Sequence, residues 1–355
     1  MPLPPIRFEP LLRARAWGGR RLGAFGKALP PAPATIGESW EIADLAPPVA
    51  DGVSRVAHGA FAGQTISALI EHHGRALLGS ATAPGGRFPW LVKYLDAAEH
   101  LSVQVHPTAR YAADHPDAHL KTEAWVVLDA TPGAAVFRGV RPDVTPAEFR
   151  AAVGAGTAVD LLVRVPVLPG DCIPLESGLC HALGAGVLVA EVQTPSDTTF
   201  RVYDWNRNEP SRPLHLDQAM ACILFGPDQR LADAPITSLD RVAAAWSDGL
   251  RAATLCTNAF FDIEAIEASP SGDAGPIEFG TADGPEVIML GRGEAIMQAA
   301  GHAKEHLRAG DTVLLPADRV ATTVDLAPGA LLIRASMPDA GRTLRDGPRA
   351  GEHLA

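Results

Sequence analysis

The chain has 355 residues, enough for two domains or one large β domain with additions. Hydrophobic residues make up 47% and charged residues 20%, a composition that excludes disorder and supports sizeable cores. The formal net charge of −11 argues against nucleic acid and anionic membrane surfaces as partners, and an anionic small molecule could bind only where lysines and arginines cluster locally.

The opening segment, MPLPPIRFEP, lacks the basic-then-apolar pattern of a signal peptide, and no apolar run is long enough to cross a bilayer. Cys172, Cys180, Cys222 and Cys256 form no CxxC pair and suggest no disulfide framework. A reducing, cytoplasmic setting is the expectation. The 34 glycines and 31 prolines are spread out between short apolar segments, as in a chain of short strands joined by turns.

In chain order, Thr65–Leu78 carries apolar residues at helical spacing. Pro89–Leu95 reads as a strand. So does Leu101–His106 (LSVQVH), where period-two alternation puts Ser102, Gln104 and His106 on one face. A buried polar row of this kind needs partners or a metal; on its own, Gln-x-His fits an ordinary half-exposed strand. Glu123–Leu128 is the next strand. Extended geometry puts Lys121, Glu123 and Trp125 on a common face, where Lys121 and Glu123 alone would read as a solvated pair. Pro146–Val153 reads as a short helix capped by Thr145, and Asp160–Val165 as a strand.

His181 follows a strand and a Gly, among apolar neighbours; a lone histidine there fits a packed core residue. Val187–Thr194 and Phe200–Trp205 are strands. On them Glu191 and Gln193 share one face, and Arg201, Tyr203 and Trp205 another. An arginine in a pocket suits phosphate or an enediolate, and on a surface turn it is merely a cap. Leu239–Trp246 reads as a third helix. Beyond it come the strands Phe260–Ile266, Glu286–Leu290, Thr312–Leu315 and Ala330–Ala335. A composition shift near residues 229–250 puts a boundary near 245, dividing a domain of residues 1–245 from one of 246–355. The Gly-Asp turn at Gly170-Asp171 recurs at Gly310-Asp311, a weak internal repeat. Counting from Gly310 as far as His181 lies from Gly170 reaches Ala321, so the second copy lacks that ligand.

Taken jointly, two histidines, a glutamate and optionally Gln104 match a zinc site with an open position, and the same set could hold iron. The segments that carry them resemble the type I phosphomannose isomerases, in the shorter bacterial form. Trp17-Gly18-Gly19, Gly37–Glu41, Leu91-Val92-Lys93, LSVQVHP at 101–107, Lys121-Thr122-Glu123 and Glu191–Trp205 occur in the family's order. The resemblance implies a mainly β fold: two cupin, jelly-roll-like β-barrels with a few helices added to the N-terminal part, the C-terminal barrel lacking metal ligands. It implies one Zn²⁺ per chain on His106, Glu123 and His181, with Gln104 as a fourth ligand. It implies catalytic roles for Arg201, Glu191 and Lys121, a pocket with Lys93 and Lys121, and Ser102 near a phosphate. The implied reaction interconverts mannose 6-phosphate and fructose 6-phosphate, with a sugar phosphate as partner and a monomer or dimer as the assembly. An iron dioxygenase and a non-catalytic sugar-binding cupin are the rival readings. Two positions depart from the family pattern: Glu176, where a Pro is usual before the last histidine, and Thr108-Ala109-Arg110, where acidic residues are usual.

Overall fold

The computed structural model describes residues 1–338 apart from 48, 50, 82, 83, 208, 211, 228 and 230–234. The protein is mainly β. The N-terminal part holds β1 (Leu11–Arg13), β2 (Glu38–Ile42), β3 (Leu91–Ala97), β4 (Val103–Val105), β5 (Glu123–Ala130), β6 (Ala135–Val140), β7 (Leu162–Pro166), β8 (Cys172–Leu175), β9 (His181–Leu183), β10 (Val187–Gln193) and β11 (Phe200–Tyr203). The C-terminal part holds β12 (Leu250–Thr257), β13 (Asp262–Ala268), β14 (Ile277–Phe279), β15 (Glu286–Arg292), β16 (Glu294–Ala299), β17 (Glu305–Arg308), β18 (Thr312–Leu315), β19 (Thr322–Leu326) and β20 (Leu331–Ser336). Among the described residues four α-helices are added, all before residue 223: α1 (Ile66–Leu78), α2 (Ala109–Asp114), α3 (Pro146–Ala155) and α4 (Leu216–Cys222).

The strands form four sheets. Two lie in the N-terminal part, in the orders β1-β2-β3-β10-β5-β8 and β11-β4-β9-β6-β7. Two lie in the C-terminal part, in the orders β12-β13-β20-β15-β18 and β14-β19-β16-β17. Trp125, Val127, Val136, Leu183 and Val189 pack between the first pair, and Ile288, Leu290, Met297, Val324 and Leu332 between the second. A third core lies between the pairs. It joins Val92, Tyr94, Val126, Ala190 and Val192 to Ile263, Val287, Met289 and Ile333, with α1 alongside. The strands β3 and β10 are therefore buried on both faces. One face carries the site described below, and the C-terminal sheet covers the other.

The repeated Gly-Asp turn has the same hydrogen bonds in both copies. Gly170 N–H donates to Val127 O at 2.8 Å and Gly310 N–H to Leu290 O at 2.7 Å. The Asp171 carboxylate accepts from Leu168 N–H at 2.9 Å and that of Asp311 from Arg308 N–H at 2.8 Å. The sheet orders β10-β5-β8 and β20-β15-β18 correspond in the same way. Register assigns the counterpart of His181 to Thr322, one residue beyond Ala321. Gly139 N–H donates to Cys180 O, as Ala300 N–H does to Ala321 O.

Gly310 has φ +97°, and a Cβ there would stand 2.2 Å from Phe25 O. Gly310→Ala is expected to destabilise the fold by about 2–4 kcal/mol, read as a lower urea midpoint at unchanged m. An unshifted midpoint would contradict the close approach.

The helix expected over Leu239–Trp246 is absent. Residues 239–243 make one turn, and Ala243 leaves it at φ +49°, a conformation that stops a helix. The expected helix at Pro146 forms with a full capping box, in which Thr145 accepts from Glu148 N–H and the Glu148 carboxylate accepts from Thr145 N–H. The strand expected from Asp160 begins at Leu162, after a 3₁₀ turn over Ala158–Leu161. Among the described residues no helix is long and apolar enough to cross a membrane.

Candidate metal and substrate site

The two N-terminal sheets converge on one polar cluster. Gln104 on β4 pairs in register with His181 on β9, and Glu123 on β5 with Gln193 on β10. Alternation along each strand then turns His106, Glu123 and His181 to a common point, with candidate ligand atoms all within 4.8 Å of one another and all three residues buried. Nε2 of His106 lies 3.3 Å from Glu123 Oε2, and Nε2 of His181 lies 3.3 Å from Glu123 Oε1. Among the described residues this is the one such group of His, Cys, Asp and Glu.

The outer nitrogens fix the rings. His106 Nδ1 sits 3.2 Å from Thr198 O and His181 Nδ1 2.8 Å from Leu179 O. A carbonyl accepts only, so each Nδ1 donates and each neutral ring keeps its Nε2 lone pair facing Glu123. Burial, then the Lys121 charge, pushes His106 down to about 3, so it stays neutral at working pH. Burial would raise the Glu123 carboxyl, but the Lys121 charge holds it well below its ordinary value.

His106 Nε2 and both Glu123 oxygens have no hydrogen bond of good geometry, although Lys121 Nζ stands 2.8 Å from Glu123 Oε2. Buried acceptors without donors are costly, and a cation at their centre satisfies them. The donor set of two imidazoles and one carboxylate fits zinc with an open position. The carboxamide of Gln104 reaches His181 Nε2 at 3.3 Å. Exchange of its nitrogen and oxygen assignments would present an acceptor there. Cys180 faces the opposite side, in the cluster with Val103, Val105 and Phe137.

A cavity of about 450 Å³ opens beside the cluster. Lys93, Ser102, Gln104, Lys121, Glu191 and Arg201 all line it. Lys93 Nζ lies 3.0 Å from Glu191 Oε1 and donates to Gln193 Oε1 at 2.6 Å. Glu191 Oε2 accepts from Trp125 Nε1 at 2.9 Å. Burial and then the Glu123 charge raise the Glu191 carboxyl, against Lys93 and Lys121. Ser102 Oγ is 3.3 Å from Gln104 Oε1.

Arg201 does not share a face with Tyr203 and Trp205, contrary to the alternation expected over Phe200–Trp205. A register shift between Arg201 and Tyr203 pairs Arg201 with Gln104 and Tyr203 with Val103. The bulge aims Arg201 at the cavity while Tyr203 and Trp205 pack in the opposite core. The turn before His181 holds without a Pro at 176: Gly178, at φ +87°, donates its N–H to His106 O at 3.1 Å, and Ser177 Oγ donates to Lys121 O at 2.8 Å. Both contacts tie that turn to the other ligand strands.

Sequence reasoning missed Arg15, Glu38, Asp197, Glu209 and Arg212, which also line the cavity. Lys93 and Arg15 hold the Glu38 carboxyl down to about 2 despite burial. Glu38 lies inside the quoted segment Gly37–Glu41, but that segment gave no chemical reason to single it out. Arg15 and Arg212 lie in loops without periodicity.

The family model of the phosphomannose isomerase type I catalytic domain matches residues 6–129. The mannose-6-phosphate isomerase ManA of Bacillus subtilis is 40% identical over 223 residues, which are 62% of this chain and 68% of that protein. The mannose-6-phosphate isomerase of Streptococcus mutans is 34% identical over 271 residues, 75% of this chain and 80% of that one. The crystal structure of a Bacillus subtilis mannose 6-phosphate isomerase superposes with a TM-score of 0.79 at 28% identity, covering 94% of this chain and all of the other. Agreement in sequence over most of a relative's length and in fold over nearly the whole chain leads to one assignment: the chain belongs to the type I phosphomannose isomerase family.

Proposed function

We propose that the chain interconverts mannose 6-phosphate and fructose 6-phosphate through an enediolate, using one zinc ion held by His106, Glu123 and His181 with Gln104 as the fourth ligand. The observation that carries this reading is the buried set of unsatisfied acceptors opening onto a charged cavity. Arg15, Lys93, Lys121, Arg201 and Arg212 line that cavity with four carboxylates, and Glu123 beneath makes a fifth. The side chains alone are therefore formally balanced, and a divalent ion would give the site two positive charges to meet a dianionic phosphate.

Bound zinc would supply a Lewis acid that polarises the sugar oxygens. Glu191, held in place by Trp125 and Lys93, is the base that moves the proton between C1 and C2. Arg201 faces the cavity with donors for the negative oxygen that develops. Lys121 holds Glu123 ionised and adds positive charge beside the reacting oxygens. Residues 1–245 are the catalytic unit, and the described part of residues 246–355 is a second barrel in which no metal-ligand group occurs among the described residues; it supports the back of β3, β5 and β10.

The test is a coupled assay of mannose 6-phosphate conversion by the zinc-loaded chain under anaerobic conditions. Turnover without oxygen is expected and separates an isomerase from an iron dioxygenase. Binding of the sugar phosphate without turnover would instead support a sugar-binding role.

A further inference from the structure

Arg201 lies on β11, which ends its sheet: the order β11-β4-β9-β6-β7 leaves it one strand neighbour among the described residues. Every second residue of an edge strand points its main-chain N–H and C=O outward, where no ladder satisfies them. At Arg201 both groups meet a single residue, His215. The Arg201 N–H donates to His215 Nδ1 at 3.2 Å, and the His215 N–H donates to Arg201 O at 2.8 Å. Two residues earlier, Pro213 O accepts from Arg201 Nη1 at 2.9 Å. Residues 213–215 thus hold both the backbone of Arg201 and one end of its guanidinium.

This support is itself fixed. His215 O accepts from Ala219 N–H at 2.8 Å and so opens α4, whose Ala219 and Cys222 are buried in one cluster with Phe200 and Val202. The His215 ring lies beside Phe200, with centroids 6.2 Å apart. An Nδ1 that accepts a main-chain N–H belongs to a neutral ring with its proton on Nε2. Burial, then the Arg201 charge, lowers the affinity of the ring for a second proton and keeps it in that state. Arg201 needs such a holder because the bulge that aims it at the cavity also breaks the β4 register directly after it. With Nη1 taken by Pro213, the Nε of Arg201 is buried and has no acceptor among the described residues. That edge remains for an oxygen in the cavity that Arg201 lines.

We propose that His215 is a positioning residue for the isomerisation: by accepting the Arg201 N–H it fixes the bulged backbone, and so aims the Nε edge of Arg201 at the oxygen that becomes negative. His215 is not among the residues lining the cavity and acts only through Arg201. The proposal rests on the isomerase reading above.

The test is a double-mutant cycle on the zinc-loaded full chain. His215→Leu is expected to lower kcat for mannose 6-phosphate about 10- to 100-fold, with KM within threefold of wild type and zinc content unchanged. His215→Asn puts a carboxamide oxygen where Nδ1 was and should keep kcat within threefold. In an Arg201→Gln background, His215→Leu should change kcat less than twofold, because the group it acts through is gone. An equal loss in both backgrounds would mark a merely structural role and overturn the proposal. So would an Asn variant as slow as the Leu variant, or a Leu variant as fast as wild type. If His215→Leu does not fold, His215→Asn decides, and a loss above tenfold rejects the proposal. If the wild type does not turn over mannose 6-phosphate, the isomerase reading fails, and the positioning is judged by the NMR signal of Arg201 Nε–H, assigned by its disappearance in Arg201→Gln. A signal sharp in wild type and His215→Asn but broadened in His215→Leu supports it; one unchanged in His215→Leu ends it.

Discussion

The His106→Ala variant is expected to lose both bound zinc and isomerase turnover. His106 is fully buried, and its Nε2 is one of the acceptors left unsatisfied around Glu123. Structural zinc sites in small peptides bind with about 10–16 kcal/mol of apparent free energy. Losing one of four ligands should then weaken binding about 10²- to 10³-fold. Without the ion, Glu123 is left with Lys121 as its charged neighbour, and the polarising group next to Gln104 is gone. Metal content after dialysis, measured beside kcat, checks this. Circular dichroism separates loss of the ion from loss of the fold, because the alanine also leaves a small void beside Val105 and Thr198. A metal-free variant with full activity would reject the site.

Most of the candidate site was legible because strands translate spacing into direction. Gln104 and His106 had to share a face, as did Lys121 and Glu123 and also Glu191 and Gln193, and the structure brings all of them to one end of the sheets. Alternation failed at Arg201, where a bulge adds one residue to the strand and breaks the period of two. The reading could not reach Arg15 or Arg212, because loop side chains are placed by tertiary partners, here Glu38 and Asp204, that no local period announces. Two helices were missed for a related reason. Residues Ala109–Asp114 and Leu216–Cys222 are too short to show a stripe, and the first is marked only by Thr108, whose hydroxyl accepts from Tyr111 N–H at 3.2 Å. The false helix at Leu239 had the opposite cause. Apolar spacing was present, but Arg241 is drawn back to Asp171, with Nε 2.7 Å from Oδ1, and the backbone reverses at Ala243. The buried faces of β3, β5 and β10 were also ambiguous in sequence, since a strand covered on both sides reads as a continuous apolar run that reveals neither partner.

Glu191→Gln is expected to lower kcat by about 10²- to 10⁴-fold, the range for a positioned general base, while zinc stays bound. None of the candidate ligands changes, and the new carboxamide can still accept from Trp125 Nε1 through its oxygen. Lys93 keeps its bond to Gln193 Oε1, so one cation is not left entirely alone. What disappears is the site that takes a proton. The pH dependence follows from the same residue. Burial and the Glu123 charge raise the Glu191 carboxyl above the ordinary carboxylate range. A base works only when ionised, so wild-type kcat/KM should fall as pH drops through that raised value, well before His106, held near 3, gains a proton. The residual rate of Glu191→Gln should lack this acid limb. A variant that keeps kcat within tenfold of wild type, or retains the acid limb unshifted, would move the base to Lys121 or Lys93. Each of those ammonium groups lies within 3.0 Å of a carboxylate, so using it as the base would break that ion pair. The carboxylate faces the smaller obstacle, which is why the proton transfer is assigned to Glu191.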